Sequence, residues 1–322
     1  MKRPLVIINC LTYNHAPYIR QCLEGFVMQQ TNFPFYAVVH DDASTDDTQS
    51  VIREYAEKYP DIIHPILEKE NLRSKHDTTM NNLMTQYLSP AKYIALCEGD
   101  DYWTDPYKLQ KQVDFLETHP DYSLCCHRYK IYNQNQDTWS EDYVASLFAE
   151  QAQGFTFTAV DNYNTWITKT MTLMYRRECL DLKQMNKYKY ARDVHWNYYL
   201  LHKGRGYCMP FVGAVYRRHA GGVFSALTAQ AKEMTSYKIY EELCQQHPDD
   251  EDLKMYLTTL QQVFGDNLRH RIYNLEHSKE LCDRIRYFRH SLCNMYGNVA
   301  VRKFDMQMCK SLIKGLKHKI TE

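Results

Sequence analysis

The sequence predicts an α/β protein: a mostly parallel, Rossmann-like sheet flanked by helices, with a helical C-terminal extension. Three observations predict it. Over about the first 125 residues, short apolar runs alternate with segments of helical periodicity, the pattern of repeated βαβ units. Polar, carboxylate-rich motifs follow those runs, at the strand ends where open α/β sheets bind ligands. From about Ala226 to Glu322 the chain is charged, poor in glycine and helical in pattern.

The elements follow in order. Leu5-Val6-Ile7-Ile8 is a buried-strand run. Pro17 opens a helix whose apolar face is Tyr18, Ile19, Cys22, Leu23, Phe26 and Val27. Phe35 to Val39 is the second strand, and Ser44 or Thr45 is placed to cap a helix through Val51, Ile52 and Tyr55. Residues 62–67 form a third, weaker strand, and 81–88 a helix. Tyr93 to Leu96 is the fourth strand. Asp105-Pro106 then caps a helix through Leu109, Val113 and Leu116 that ends near Pro120. Residues 122–132 can hold a strand, 133–154 read as a polar loop or lid, and 170–176 are strand-like. Residues 190–202 read as a helix closed by Gly204, and 206–216 as two short apolar runs around Pro210. No internal repeat is evident.

A chain of 322 residues makes one large domain or two. The 39 basic and 39 acidic residues balance, so no global field points to nucleic acid. No apolar stretch approaches the ~18 residues of a membrane span. Met1-Lys2-Arg3-Pro4 leads straight into a strand rather than a signal sequence, which predicts a cytoplasmic protein. The 11 cysteines include no Cys-x-x-Cys, and several lie inside apolar runs. They read as reduced core residues.

The most informative segment is Glu98-Gly99-Asp100-Asp101, directly after the fourth strand. Carboxylates this close repel unless a cation sits among them, and hard oxygen ligands suit Mg²⁺ or Mn²⁺. Three further motifs follow strands: Thr12-Tyr13-Asn14, Asp41-Asp42-Ala43-Ser44-Thr45-Asp46, and Tyr216-Arg217-Arg218-His219-Ala220-Gly221-Gly222. Each alone is a weak signal; the ordered set is strong, because all four can converge on one face of the sheet.

This ordered set resembles the family 2 glycosyltransferases, inverting enzymes of GT-A fold, over about residues 3–225. The family's opening strand, Tyr-Asn and Gln-Thr are matched by Leu5 to Asn14 and Gln30-Thr31. Its Val-Asp-Asp-Gly-Ser-x-Asp is matched by residues 40–46, with Ala43 for Gly, and its Asn by Asn71 after Glu70. Its Asp-x-Asp-Asp is matched by residues 98–101, with Glu98 in the first place. Its Tyr-Arg-x-His-x-Gly-Gly-x-Ser is resembled by residues 216–222, completed by Val223 and Ser225.

The resemblance implies roles. Asp42 contacts the nucleotide base, Thr12 and Tyr13 flank it with Asn14 beside them, and Asp41 is structural. Asp101 binds the metal, Mg²⁺ or Mn²⁺, and Asp100 lies near the ribose or the metal's waters. Arg73 or Lys75 touches the nucleotide. His219 meets the diphosphate or completes the metal shell, and Arg217 or Arg218 clamps phosphate. Asp193, in Arg192-Asp193-Val194-His195-Trp196, is the catalytic base, although the family more often has an acidic residue where this chain has Arg192. Trp103, Trp166 and Trp196 are candidates to stack a sugar, with core packing the expectation for at least two.

The implied reaction is a single displacement. It moves a sugar from a nucleoside diphosphate, a UDP-sugar first, to an acceptor hydroxyl on a saccharide or a lipid-linked saccharide, and capsule, O-antigen or exopolysaccharide synthesis is the setting. A sugar-phosphate nucleotidyltransferase is the nearest rival. It requires a glycine-rich loop after the first strand, where this chain has Asn9 to Asn14. A non-catalytic nucleotide-sugar-binding scaffold is the other alternative, with Glu98 and Arg192 as its support.

The expected domains are a catalytic 1–225, with a nucleotide half to about 125 and an acceptor half over 126–225, and a helical 226–322. Near the end, Arg302, Lys303, Lys310, Lys314, Lys317 and Lys319 stand against Asp305, with Met308, Leu312, Ile313 and Leu316 between them at helical spacing. Such a helix either packs on a neighbour or lies on the anionic inner face of the plasma membrane.

Overall fold

The computed structural model describes residues 3–72, 79–148, 153–189, 191–222, 227–274, 276 and 278–321. It divides into two compact units, Met1–Ala226 and Leu227–Glu322.

In the first unit, β1 (Val6–Thr12), β2 (Phe35–Asp41), β3 (Ile63–Leu67) and β4 (Tyr93–Glu98) form a parallel array in the order β3-β2-β1-β4. Helices α1 (Ile19–Val27), α2 (Thr48–Lys58) and α3 (Thr79–Leu88) provide the crossovers that parallel pairing requires. The strands run two or more residues past their apolar cores, so Thr12, Asp41 and Glu98 are still paired when they reach the sheet edge. Neither Ser44 nor Thr45 caps α2. Ser44 is drawn back to Asp41, and the helix starts behind Asp47.

The sheet then becomes mixed. The two-residue β5 (Tyr102–Trp103) leads into α4 (Lys108–Thr118), ahead of which Asp105 Oδ1 accepts from the Tyr107 N–H at 2.8 Å. β6 (Tyr122–Asn133), β7 (Thr138–Glu141), β8 (Phe155–Phe157), β9 (Met174–Arg176) and β10 (Arg205–Arg218) complete the ten strands found among the described residues, with α5 (Ala159–Asn164) and α6 (Asp193–Leu201) between them. β9 is antiparallel to both β4 and β6, and it joins the parallel array to the parallel β6–β10 pair.

Two expectations are corrected here. The polar segment 133–154 contains β7, which pairs with β6 and sets Trp139 against Tyr132 with ring centroids 4.7 Å apart. The two runs around Pro210 are one strand, β10. Its register with β6 shifts between Met209 and Ala214, where the proline has no N–H for the ladder.

A continuous apolar core fills the space between sheet and helices, from Val6, Ile8 and Leu23 to Val113, Met174 and Ala214. Cys10, Cys22, Cys97, Cys125, Cys126 and Cys208 are buried and free, as expected of reduced core thiols, whereas Cys282 and Cys309 are exposed. Trp103 belongs to this core: it packs on Phe26 and donates from Nε1 to the Met171 carbonyl at 2.8 Å, so it stacks no sugar.

The second unit is α7 (Ala229–Gln246), α8 (Glu251–Tyr273) and α9 (Lys279–Thr321). Thr228 and Asp250 cap the first two by accepting from backbone N–H groups three residues on. Tyr237, Phe264, Phe288 and Phe304 make its aromatic centre. α9 bends at Gly297, where φ of 74° needs a residue without Cβ. No helix among the described residues is long and apolar enough to cross a membrane.

Candidate active site

The site is assembled where β1, β2, β4 and β10 end. After β1, Asn14 adopts a left-handed conformation (φ 53°) and its Oδ1 accepts from the Thr45 N–H at 2.8 Å. Ser44 Oγ accepts from the Asn14 N–H at 2.8 Å. The first two motifs are therefore stitched together. Asn14 acts in that join, and Tyr13 stays 43% exposed at the rim.

After β2 the two carboxylates diverge. Asp41 is fully buried and accepts from the Ser44 N–H at 2.9 Å, the Ser44 hydroxyl and Gln49 Nε2 at 2.7 Å. Its role within the described residues is to shape the turn. Ala43 follows at φ 61°, the left-handed region that explains why the resembling motif has glycine there. Asp42 Oδ1 accepts from the Leu72 N–H at 2.7 Å, and Asn71 donates to the Asp42 carbonyl at 3.0 Å. Arg73 and Lys75 lie outside the described residues, as do Val223 and Ser225.

The acidic turn after β4 sits directly on the first loop. A Cβ at Gly99 would come within 2.5 Å of Thr12 Oγ1 and 3.0 Å of His15 Nδ1, so only glycine fits. Asp101 is 2% exposed and accepts from the Arg217 N–H at 2.8 Å. Burial, then the charges of Asp100 and Glu98, push its carboxyl well above the usual range. Burial works against a charge on Asp100 as well, yet the hydrogen bond to His219 and the neighbouring imidazoles hold its carboxyl below the usual range.

β10 supplies the opposing wall. His219 Nε2 lies 3.0 Å from Asp100 Oδ2, and its ring packs on Tyr18 at 4.5 Å. The Arg217 guanidinium turns inward. It donates to the Asp100 carbonyl at 2.9 Å and to Gln21 Oε1 at 2.6 Å, and it lies 5.1 Å from the rings of both Tyr18 and Tyr102. Arg218 instead reaches the Tyr143 hydroxyl.

The donor chemistry fits a divalent cation in two overlapping ways. Ligand atoms of Glu98, Asp100 and Asp101 lie within 4.8 Å of one another, and so do those of His15, Asp100 and His219.

Four participants carried no motif signal. His15 contacts Thr12 and Asp100, and its imidazole is held below its ordinary pKa by burial, against the pull of Asp100. Tyr18 and Gln21 lie one turn apart near the start of α1, a spacing that puts them on one face. Lys169 sits 4.0 Å from the Tyr216 ring.

Asp193 is the first residue of α6. It is exposed, and its Oδ1 accepts from the Val194 N–H at 3.0 Å. Among the described residues no hydrogen bond or ion pair joins it to Asp100 or Asp101. The adjacent Arg192 N–H donates to His195 Nδ1 at 3.0 Å, which locks the start of the helix.

A mixed sheet with a parallel half, and an acidic turn facing a histidine at the strand ends, defines a GT-A-fold protein. S. aureus TarS 1–349, solved with UDP-GlcNAc, superposes with a TM-score of 0.61 at 15% identity, over 98% of this chain and 91% of that one. Residues 8–182 match the sequence profile described as Glycosyl transferase family 2, and the chain belongs to that family. An uncharacterized protein of Mycobacterium tuberculosis (strain H37Rv) is 36% identical over 239 residues, which are 70% of this chain; the match spans 62% of the length of that relative. TuaG of Bacillus subtilis, named for teichuronic acid biosynthesis, is 26% identical over 247 residues, 76% of this chain and 90% of its own length.

Proposed function

We propose that this protein is an inverting glycosyltransferase that moves a sugar from a nucleoside diphosphate to an acceptor hydroxyl in the assembly of a bacterial surface polysaccharide. One observation carries the reading: Asp100 and Asp101, on the turn after β4, meet His219 and Arg217 from the end of β10. The family membership supports the reaction class, and the likeness to TuaG supports the polymer.

In this reading Asp42 faces the base, with Thr12, Tyr13 and Asn14 forming the adjoining rim and Arg73 or Lys75 reaching the nucleotide. Asp101 and His219, each clustered with Asp100, would hold Mg²⁺ or Mn²⁺, and His219 and Arg217 would form the diphosphate side. A bound divalent ion supplies charge neutralisation for the departing nucleoside diphosphate. Arg217 keeps the acidic turn in place from beneath. Asp193, exposed at its helix start, takes the proton from the acceptor hydroxyl as that oxygen attacks the anomeric carbon. The C–O bond to the acceptor forms as the bond to diphosphate breaks, and the anomeric configuration inverts.

We also propose that the C-terminal helix meets the inner face of the plasma membrane, which places the enzyme in the cytoplasm beside a lipid-linked acceptor. Val299, Met306 and Ile313 recur every seventh residue and are exposed, with Arg302, Lys303, Lys310 and Lys317 on the same side of α9. Phe304, Met308 and Gly315 occupy the opposite, buried side. A second copy would set lysines against lysines along this stripe, so an anionic bilayer is the complementary surface.

The test of the reaction is a panel of UDP-, GDP- and dTDP-sugars, read by thermal stabilisation with and without Mn²⁺. UDP-sugars come first, since TarS was solved with UDP-GlcNAc. Donors that stabilise the protein are then assayed for hydrolysis and transfer. Stabilisation by a donor without any hydrolysis or transfer would leave a nucleotide-sugar-binding protein in place of an enzyme.

A further inference from the structure

His15 belongs to none of the motifs that identify the family, yet its ring lies at the centre of the site. Its Nε2 is 3.7 Å from Asp100 Oδ2, the oxygen that His219 Nε2 approaches to 3.0 Å. The two imidazoles stand edge to face at 87°, with centroids 6.2 Å apart, so they bracket one carboxylate oxygen from two sides. The ligand atoms of all three residues lie within 4.8 Å of one another.

The surroundings hold this ring in place. Nδ1 is 3.1 Å from Thr12 Oγ1, and Thr12 is buried. A histidine that donates from one nitrogen to a neighbouring oxygen presents the lone pair of the other to a metal. Gly99 leaves the room that this contact needs. The backbone of His15 is anchored independently: its N–H donates to Thr48 Oγ1 at 2.9 Å, and its carbonyl accepts from the Tyr18 and Ile19 N–H groups. The ring is therefore not needed to hold the loop.

We propose that His15 is a metal ligand that joins Asp101 and His219 around Asp100, so that the divalent ion of this site is held by two imidazoles besides its carboxylates and the site selects Mn²⁺ over Mg²⁺. Carboxylate and water ligands suit Mg²⁺, whereas each imidazole nitrogen shifts preference toward transition ions. This deepens the glycosyltransferase reading and rests on it for the presence of a metal.

The experiment uses full-length protein with Mn²⁺ alone and with Mn²⁺ plus UDP, in wild type, His15→Ala and His15→Gln, the second variant covering any folding defect of the first. Continuous-wave EPR measures free Mn²⁺, pulsed EPR counts bound imidazole nitrogens, and calorimetry measures Mg²⁺. Wild type should show two imidazoles. The variants should show one, with Mn²⁺ affinity at least about tenfold weaker and Mg²⁺ affinity changed by less than about threefold.

A single imidazole in wild type with unchanged Mn²⁺ affinity in the variants would overturn the proposal. Equal losses for the two ions, or no Mn²⁺ binding by wild type, would do so as well. Thermal stabilisation by UDP, measured on the same samples, separates the two readings. If it persists while His15 proves irrelevant, only this proposal falls; if UDP has no effect on wild type, the nucleotide-sugar reading falls with it.

Discussion

The backbone N–H of Arg217 donates to Asp101 Oδ1 at 2.8 Å, which joins the end of β10 to the acidic turn across 116 residues. Asp101 therefore has a structural duty beside the metal-binding one proposed for it, and substitutions separate them. Asp101→Ala removes a proposed metal ligand and also strands a buried N–H, so it should lose turnover and about 1–3 kcal/mol of stability. Asp101→Asn keeps an acceptor for Arg217 and removes a charge that burial and Asp100 disfavour. It should lose turnover while its denaturation midpoint stays at or above that of wild type. Metal-dependent transfer by Asp101→Asn near the wild-type rate would remove Asp101 from the metal site.

Asp193→Asn tests the base. The side chain is exposed and its Oδ1 contact with the Val194 N–H survives in the amide, so stability should change little. Turnover should fall by about 10²-fold or more, while the donor dissociation constant from calorimetry stays within about twofold, because the base acts on the acceptor. Loss of donor binding with turnover preserved at saturation would instead place Asp193 at the nucleotide and turn attention to other carboxylates of the middle segment, such as Asp161.

Lys108 predicts a pH dependence of stability. Its ammonium is fully buried, donates to Gln112 Oε1 at 2.7 Å and lies 4.0 Å from the Trp103 ring. Burial lowers its pKa to about 7 from 10.5, against the opposing pull of Cys97, Cys125, Asp105 and Cys126. Below pH 7 both folded and unfolded chains hold the proton, and the burial penalty is fully present. Between about pH 7 and 10.5 the unfolded chain holds a proton that the folded chain has released, so stability rises with pH, by up to ~1.4 kcal/mol per unit. Urea denaturation of wild type and Lys108→Met from pH 7 to 10 should show the difference between them shrinking or reversing as pH rises. A constant difference would mean that Lys108 does not titrate in this window.

How far the sequence carried the reading depends on what kind of signal each part leaves. Strands buried on both faces leave apolar runs, so β1, β2 and β4 and the motifs at their ends were legible. β7 was not, because all four of its residues are exposed and its pairing rests on contacts with β6. Pro210 read as a break because proline usually ends strands, yet β10 absorbs it in a register shift. In the site, Asp101 and His219 stood out by motif. His15, Gln21 and Lys169 did not, since each reaches the cluster only through the approach of distant segments. Ala43 illustrates the opposite limit: the motif match showed where glycine was replaced, but only the φ of 61° shows that the replacement sits in left-handed backbone.

The basic stripe on α9 gives the last prediction. Its inner side is settled by packing: Phe304 meets Phe288 across the Gly297 bend of α9 at 5.0 Å, and a Cβ at Gly315 would lie 1.9 Å from the Tyr273 carbonyl oxygen of α8, so that side is closed by α9 itself and by α8. The side bearing Val299, Met306 and Ile313 has no such role within the unit, because these residues are 79%, 55% and 52% exposed. Substituting Met306→Ser and Ile313→Ser together should leave thermal stability within a degree or two, whereas Gly315→Ala should lower it clearly. If the stripe docks on anionic lipid, the double variant should sediment less with phosphatidylglycerol vesicles than wild type does, and raising salt from 0.05 to 0.5 M should weaken wild-type binding several-fold. Vesicle binding that is absent, or indifferent to both salt and the two serines, would exclude this surface as a membrane contact. A shift from dimer to monomer in the double variant, measured by sedimentation velocity, would show that a second copy covers the stripe despite its lysines.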